Sequence, residues 1–204
     1  MKISHYFEWE DTITGGFAQS VNNQRKILDR RGIDYTTKPD LDADLLHLNN
    51  PGPRSLYYAK RAQRAGVPVL AHTHNTAEDF RESFVFSNLL AKPLRPYLAY
   101  AYSQADHLVC VSEHTQNVIA QYTDTPSTVI SNGFDADRYE GWDDPDLRGE
   151  YLDRYDLEPP VVFMFGHVIK RKGLRTFVET ARAMPDVDFV WFGYVNPAGG
   201  TLDK

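Results

Sequence analysis

Two rhythms of apolar residues alternate along the chain, a short strand-like one and a longer helix-like one. KISHYFEW (2–9) reads as a strand and runs into EDTITGG, a loop with two glycines. From Phe17 the spacing predicts a helix, with Phe17, Val21 and Leu28 on one face and an end at Arg31-Gly32. IDYTTK and ADLLHLNN read as short strands, the second closed by PGPR, and Pro53 suits the first turn of a helix running to Gly66. VPVLAHTH (67–74) is apolar without interruption up to its histidines, as a central parallel strand is. A helical region is expected over about 77–104, broken near Pro93 and Pro96. HLVCV (107–111) is the next strand, Ser112 is placed to cap the helix EHTQNVIAQY, and STVISNG (127–133) is a strand ending in a turn.

Strands alternating with helices of this length predict a layered α/β domain with a mostly parallel sheet. Its functional crevice is expected beyond the carboxyl ends of the strands. Those ends hold the chain's least ordinary stretches: ITGGF, LNNPG, HTHNTAEDF, VSEHT and SNGFD. After Asp135 the composition turns acidic and aromatic as far as Pro159-Pro160, which reads as a short helix and a linker. VVFMFG, a helix with Leu174, Phe177, Val178, Ala181 and Met184 on one face, and DFVWFG then form one β-α-β unit of a second sheet. The expected division is a Rossmann-like domain over 1–158 and the beginning of a second one over 159–204. Two strands this apolar cannot be covered on both faces by so short a unit, so either it completes the first domain or, the favoured expectation, the chain is a fragment whose second domain is mostly missing.

Composition narrows the classes. The chain has 204 residues, 42% of them apolar and 25% charged, which suits a folded protein rather than a disordered one. Lys and Arg total 22 against 28 Asp and Glu, a formal charge of −6 that argues against a nucleic-acid partner. The single cysteine, Cys110 in LVCV, excludes a disulfide framework or a cysteine-built zinc site. The N-terminus enters a strand directly, without a signal peptide, and no 18-residue apolar run occurs. A cytoplasmic protein is expected, with peripheral membrane contact open.

Candidate chemistry concentrates in AHTHNTAEDFRESFVFSN (71–88). His72 and His74 are expected to point to opposite sides of the extended strand, which argues against joint ligation of a metal, and a metal site needs about three ligands. Thr76 and Asp79 resemble a capping box with aspartate in place of glutamate or glutamine. Gly15 and Gly16 before a helix either form a plain tight turn or let the first amides approach an anion. FVFSNLLAKPLRPYLAYAY (84–102) is either a buried helical hairpin or a partly exposed apolar and basic surface, with Lys92 and Arg95 near anionic headgroups. Gly133 is expected to supply a positive-φ turn after the strand, which Asp135 braces.

Three stretches together resemble glycosyltransferase family 4, retaining enzymes of the GT-B fold: TITGGF (12–17), VISNGFDADRYE (129–140) and FGHVIKRKGLRTFVETARAMPDVDFVWFG (165–193). The histidine strand followed by TAEDFRESFVFSN is similar to the branch that glucosylates diacylglycerol-type lipids. The resemblance implies metal-independent transfer of a hexose, glucose foremost, from a nucleotide-sugar such as UDP-glucose to a lipid or glycan hydroxyl. It implies electrostatic stabilisation of an oxocarbenium-like state and the departing diphosphate, with no covalent nucleophile. It places Gly15 and Gly16 near the donor phosphates and acceptor, and one of His72 and His74, His72 foremost, against the transferred sugar. Lys172 and Gly173 match the family's lysine-glycine pair at the diphosphate, whereas His167 stands where the family has an arginine. Asn75, Glu78, Asp79, Arg81 and Asn132 fall on the acceptor side or in the cleft. The family's paired glutamates, seven residues apart, would lie beyond Lys204, so the isolated chain is expected to be inactive. Two other classes stand beside this one: a non-catalytic acceptor- or partner-binding module, and a hydrolase using His72 or His74 as base. The latter lacks a G-x-S-x-G elbow.

Overall fold

The computed structural model describes residues 1–80 and 87–195. Two compact units are present, one built from 1–80 and 88–134 and the other containing 135–195. In the first, six parallel strands form one sheet in the order β2-β1-β3-β4-β5-β6. They are β1 (Lys2–Tyr6), β2 (Asp34–Thr36), β3 (Leu45–Leu48), β4 (Val69–Thr73), β5 (His107–Cys110) and β6 (Ser127–Val129). The helices between them are α1 (Gly16–Arg30), α2 (Pro53–Ala65), α3 (Ala77–Phe80), α4 (Ser87–Tyr102) and α5 (Glu113–Ile119). This is the expected doubly layered α/β arrangement.

Local chemistry explains the boundaries. Gly66 takes the left-handed conformation that ends α2 (φ 73°), and Pro53 opens it. Ser112 caps α5 through Thr115 N–H at 3.1 Å. Thr76 Oγ1 accepts the Asp79 N–H (3.1 Å) and donates to Asp79 Oδ2 (2.7 Å), so the carboxylate of this variant box holds the threonine hydroxyl. The expected break at Pro93 and Pro96 is corrected: both lie inside the uninterrupted α4. Gly133 is likewise not among the positive-φ glycines. Its carbonyl instead accepts from Asn23 Nδ2 at 2.8 Å, which docks the turn onto α1.

One face of the sheet carries the apolar core. Leu46, Leu48, Val69, Ala71, Leu98, Tyr102, Leu108 and Ile119 pack as one buried cluster. The fully buried Tyr102 satisfies its hydroxyl on the Asn75 carbonyl at 2.7 Å. A buried carboxylate secures the start of α2. Glu8 Oε2 accepts Ser55 N–H at 2.7 Å and Oε1 accepts Arg54 N–H at 3.2 Å, while Asn50 exchanges two hydrogen bonds with the Glu8 backbone.

The second unit holds α6 (Pro145–Tyr155), β7 (Val161–Phe165), α7 (Leu174–Ala183) and β8 (Asp188–Phe192), with β7 and β8 parallel. No described residue of these four elements is buried. Phe163 and Phe165 are 65% and 75% exposed and line an open groove of about 830 Å3 with Trp142, Leu147, Tyr151 and Phe192. The two strands and two helices leave apolar faces uncovered, as the sequence implies.

Candidate active site

The face of the first sheet opposite the apolar core is polar and aromatic, and α1 lies over it. Alternation along each strand selects its members: Leu46 and Leu48 turn to the core while His47 turns away, and Ala71 turns to the core while His72 turns away. Parallel register sets His5 beside His47. The result is a row of four imidazoles. His5 and His47 meet edge to face at 4.8 Å, His47 and His72 lie 5.6 Å apart, and His72 and His74 stack at 4.4 Å with an interplanar angle of 8°. This corrects the expectation that His72 and His74 point to opposite sides. Residues two apart on a strand share a face, and the stacked rings show that they do.

The glycine loop reaches the same row. Gly15 has φ 78° and ψ −150°, a conformation open essentially to glycine, and Gly16 is the first residue of α1. The next residue, Phe17, packs on His74 at 4.4 Å between ring centroids. One turn further on, Ser20 donates to Asn132 Oδ1 at 2.7 Å. Gly15, Gly16, His72, His74 and Asn132 are thereby gathered around the first two turns of α1. Asn75, Glu78 and Asp79 follow β4 in chain order, and the Asn75 backbone and the Glu78 and Asp79 carboxylates are engaged locally. The Asn75 carbonyl accepts from Tyr102, Glu78 accepts the Tyr122 hydroxyl, and Asp79 closes the Thr76 cap. Arg81 lies outside the described residues.

In the second unit the stretch after β7 turns at Gly166 (φ 124°), continues through His167, and forms a 3-10 turn over Lys170–Lys172. Gly173, at φ 80°, opens α7. The Lys172 side chain is exposed at that helix start, and His167 lies edge to face with Tyr194 at 6.4 Å.

Burial makes the imidazoles poor proton acceptors. Desolvation, and after it the repulsion of positive charge by His5, lowers His72 to about 4; desolvation and His72 lower His74 to about 3. Desolvation, followed by the other three rings, also holds His47 well below the ordinary 6.5, and desolvation lowers His5. The Nε2 atoms of His72 and His74 are buried and have no hydrogen-bond partner among the described residues. Among the described residues, no group of three or more His, Cys, Asp or Glu is arranged to hold a metal ion.

These shifts carry a sign. The unfolded chain takes up protons near pH 6.5 while the folded rings stay neutral to about 4 and 3, so stability is full above 6.5 and falls as pH drops through that window. Melting temperature is expected to decrease between about pH 7.5 and about pH 5.5, above the range where carboxylates titrate, and to decrease less in His74→Leu. Equal slopes in the two proteins would contradict the assignment.

Sequence reading missed His5, His47, Gln24 and the buried Glu8. A usable signal exists for the histidines: SHYF, LLHLNN and LAHTH each put one within three residues of a strand's carboxyl end.

Comparison with known proteins bears on this site. The Glycosyltransferase Family 4 model matches residues 14–138, from the glycine loop through the Asn132 turn. The chain is 31% identical over 210 residues to the processive diacylglycerol alpha-glucosyltransferase of Acholeplasma laidlawii, covering 98% of this chain and 60% of that protein. The crystal structure of Anabaena Alr3699/HepE in complex with UDP and glucose shares its fold at a TM-score of 0.56 and 16% identity, over 93% of this chain and 60% of that one. The chain thus spans about 60% of the length of these relatives. With well over half of its residues matched, the chain belongs to glycosyltransferase family 4.

Proposed function

We propose that the protein is the acceptor-side part, with the opening of the donor-side part, of a retaining glucosyltransferase that moves glucose from UDP-glucose to a diacylglycerol-type hydroxyl. The observation that carries this reading is the His72–His74 pair at the end of β4, packed against the Gly15-Gly16-Phe17 start of α1. Neutral imidazoles in a dry layer suit hydrogen bonding to a sugar rather than general-base work, because basicities near 4 and 3 leave little driving force for proton abstraction. That disfavours the hydrolase alternative. His72 faces the transferred sugar, and Asn132, braced by Ser20, borders the same cleft. The Gly15-Gly16 turn lets backbone amides approach the donor phosphates.

Lys172 and Gly173 at the start of α7 receive the diphosphate, where positive charge and helix amides counter the charge that grows on the leaving group. His167 takes the position beside them. Lys172→Ala is expected to lower kcat/KM for the nucleotide-sugar about ten- to hundredfold, the worth of one hydrogen bond to a charged group. An unchanged value would remove Lys172 from the donor site.

The enzyme works without a metal ion on the cytoplasmic side, at the membrane surface. No described helix is long and apolar enough to cross a membrane. Together α2 and α4 carry the exposed Tyr57, Arg61, Lys92, Arg95 and Tyr100 and the half-buried Lys60, a basic and aromatic composition that suits anionic headgroups. The test is transfer of radiolabelled glucose from UDP-glucose by the protein purified from its native cells, presented with vesicles containing diacylglycerol. Label in the lipid phase is expected. UDP-glucose binding without transfer would favour the module, and release of free glucose alone would favour a hydrolase.

A further inference from the structure

We propose that Gln24, held in turn by Glu10, Arg25 and His5, is a positioning residue that fixes the neutral His72 imidazole with its proton on Nε2. His72 then meets its ligand as a hydrogen-bond donor. The ligand's identity rests on the glucosyl-transfer reading above; the protonation pattern does not.

One hydrogen-bonded chain runs inward from the surface to His72. Arg25 is clamped by Glu10, Nη1 to Oε1 and Nη2 to Oε2, the second contact at 2.9 Å. A guanidinium can only donate, so its Nε, 3.4 Å from His5 Nδ1, makes that nitrogen an acceptor. A neutral imidazole has one acceptor nitrogen, which puts the His5 proton on Nε2. That Nε2 lies 2.8 Å from Gln24, and only the amide oxygen can receive it. The orientation of the Gln24 amide is thereby settled, and its NH2 faces His72 Nδ1 at 3.4 Å. An amide nitrogen only donates, so His72 Nδ1 accepts and the ring proton sits on Nε2. His47 Nε2 lies 3.4 Å from the same His72 Nδ1, a contact whose direction follows from the His47 tautomer and that leaves Gln24 as the donor fixed by the chain. Asn49 Nδ2 is also a donor, with two hydrogens, 3.3 Å from His5 Nε2 and 3.4 Å from the Tyr6 carbonyl; the shorter 2.8 Å contact of Nε2 with Gln24 and the Arg25 donor on Nδ1 keep the His5 proton on Nε2.

What remains is an Nε2–H that is buried, on a residue only 6% exposed, with no acceptor among the described residues. A buried donor left unsatisfied is costly, and native proteins rarely keep one without use. An oxygen acceptor on the ligand, a sugar hydroxyl in the present reading, completes the chain. An ion pair between α1 and the loop after β1 therefore dictates the hydrogen-bond polarity of a residue on β4.

Two-bond nitrogen–proton spectra of the histidine-labelled protein near neutral pH test this directly, with the His72 signals assigned by their loss in His72→Asn. The wild type is expected to show a protonated Nε2 and a bare Nδ1. Gln24→Glu keeps the side-chain shape but offers acceptors to both rings, and is expected to move a proton onto His72 Nδ1. Gln24→Leu, which removes the donor, is expected to mix the two tautomers. A wild-type His72 protonated on Nδ1, or a Gln24→Glu protein with Nδ1 still bare, would overturn the proposal. Neither spectrum depends on glucosyl transfer, so the protonation pattern and the enzymatic reading can fail separately.

Discussion

Replacing His72 by alanine is expected to lower the rate of glucosyl transfer by about 10²–10³-fold, the usual cost of removing one preorganised donor from a dry site. The loss should fall on kcat more than on KM. In a retaining transfer the sugar gains positive character while the diphosphate departs, and a fixed donor on a sugar hydroxyl contributes most when the ring distorts toward that state. His72 is well suited to this. It is buried, stacked on His74 at 4.4 Å, and uncharged at neutral pH because desolvation holds it near 4. A neutral ring does not repel the oxocarbenium-like centre as an imidazolium would. Steady-state kinetics of the variant, at a temperature where its circular dichroism matches the wild type, check the expectation. A loss of less than about threefold would transfer the role to His74, whose Nε2 is also buried without a partner among the described residues.

The largest expected effect on stability comes from a residue remote from the chemistry. A Cβ added to Gly52 would lie 2.2 Å from Glu8 Oε2 and 2.4 Å from the carboxyl carbon. The backbone itself tolerates alanine, since φ is −72° and ψ 167°; the obstacle is the carboxylate. Glu8 is only 2% exposed and accepts the first amides of α2 from Arg54 and Ser55. Moving it aside breaks charge-assisted hydrogen bonds at a helix N-terminus and leaves a buried charge poorly paired. Gly52→Ala is therefore expected to cost roughly 2–4 kcal/mol, measured as a lower denaturant midpoint with unchanged slope. The double variant Gly52→Ala with Glu8→Gln should lose less than the sum of its parts, because the two changes act on one contact. Strict additivity would show that the Glu8 carboxylate is not the cause.

Much of this fold is legible in the sequence because its strands and helices have different apolar periods. Val69–Thr73 reads as a central strand from its uninterrupted apolar run, and α2 from Pro53 at its start and Gly66 at its end. Pro93 and Pro96 mislead, since tertiary packing of Leu98 and Tyr102 into the core carries α4 through them. The site is less legible for a topological reason. His5, His47 and His72 are each separated by dozens of residues and meet only through parallel register, which no local pattern encodes. His72 and His74 could have been placed together from the strand's period of two alone. Glu8 and Gln24 look like ordinary surface residues in sequence, and their importance rests on partners more than 40 positions away: Ser55 for the first and His72 for the second.

The most direct measurement is the anomeric configuration of the glycolipid formed from UDP-glucose and diacylglycerol by the protein purified from its native cells. The donor carries glucose in α linkage, so retaining transfer across the histidine face predicts an α-glucosyl product, read from the small anomeric proton coupling in its magnetic resonance spectrum. A β-glucosyl lipid would contradict the retaining mechanism, and free glucose with no lipid product would contradict the transferase.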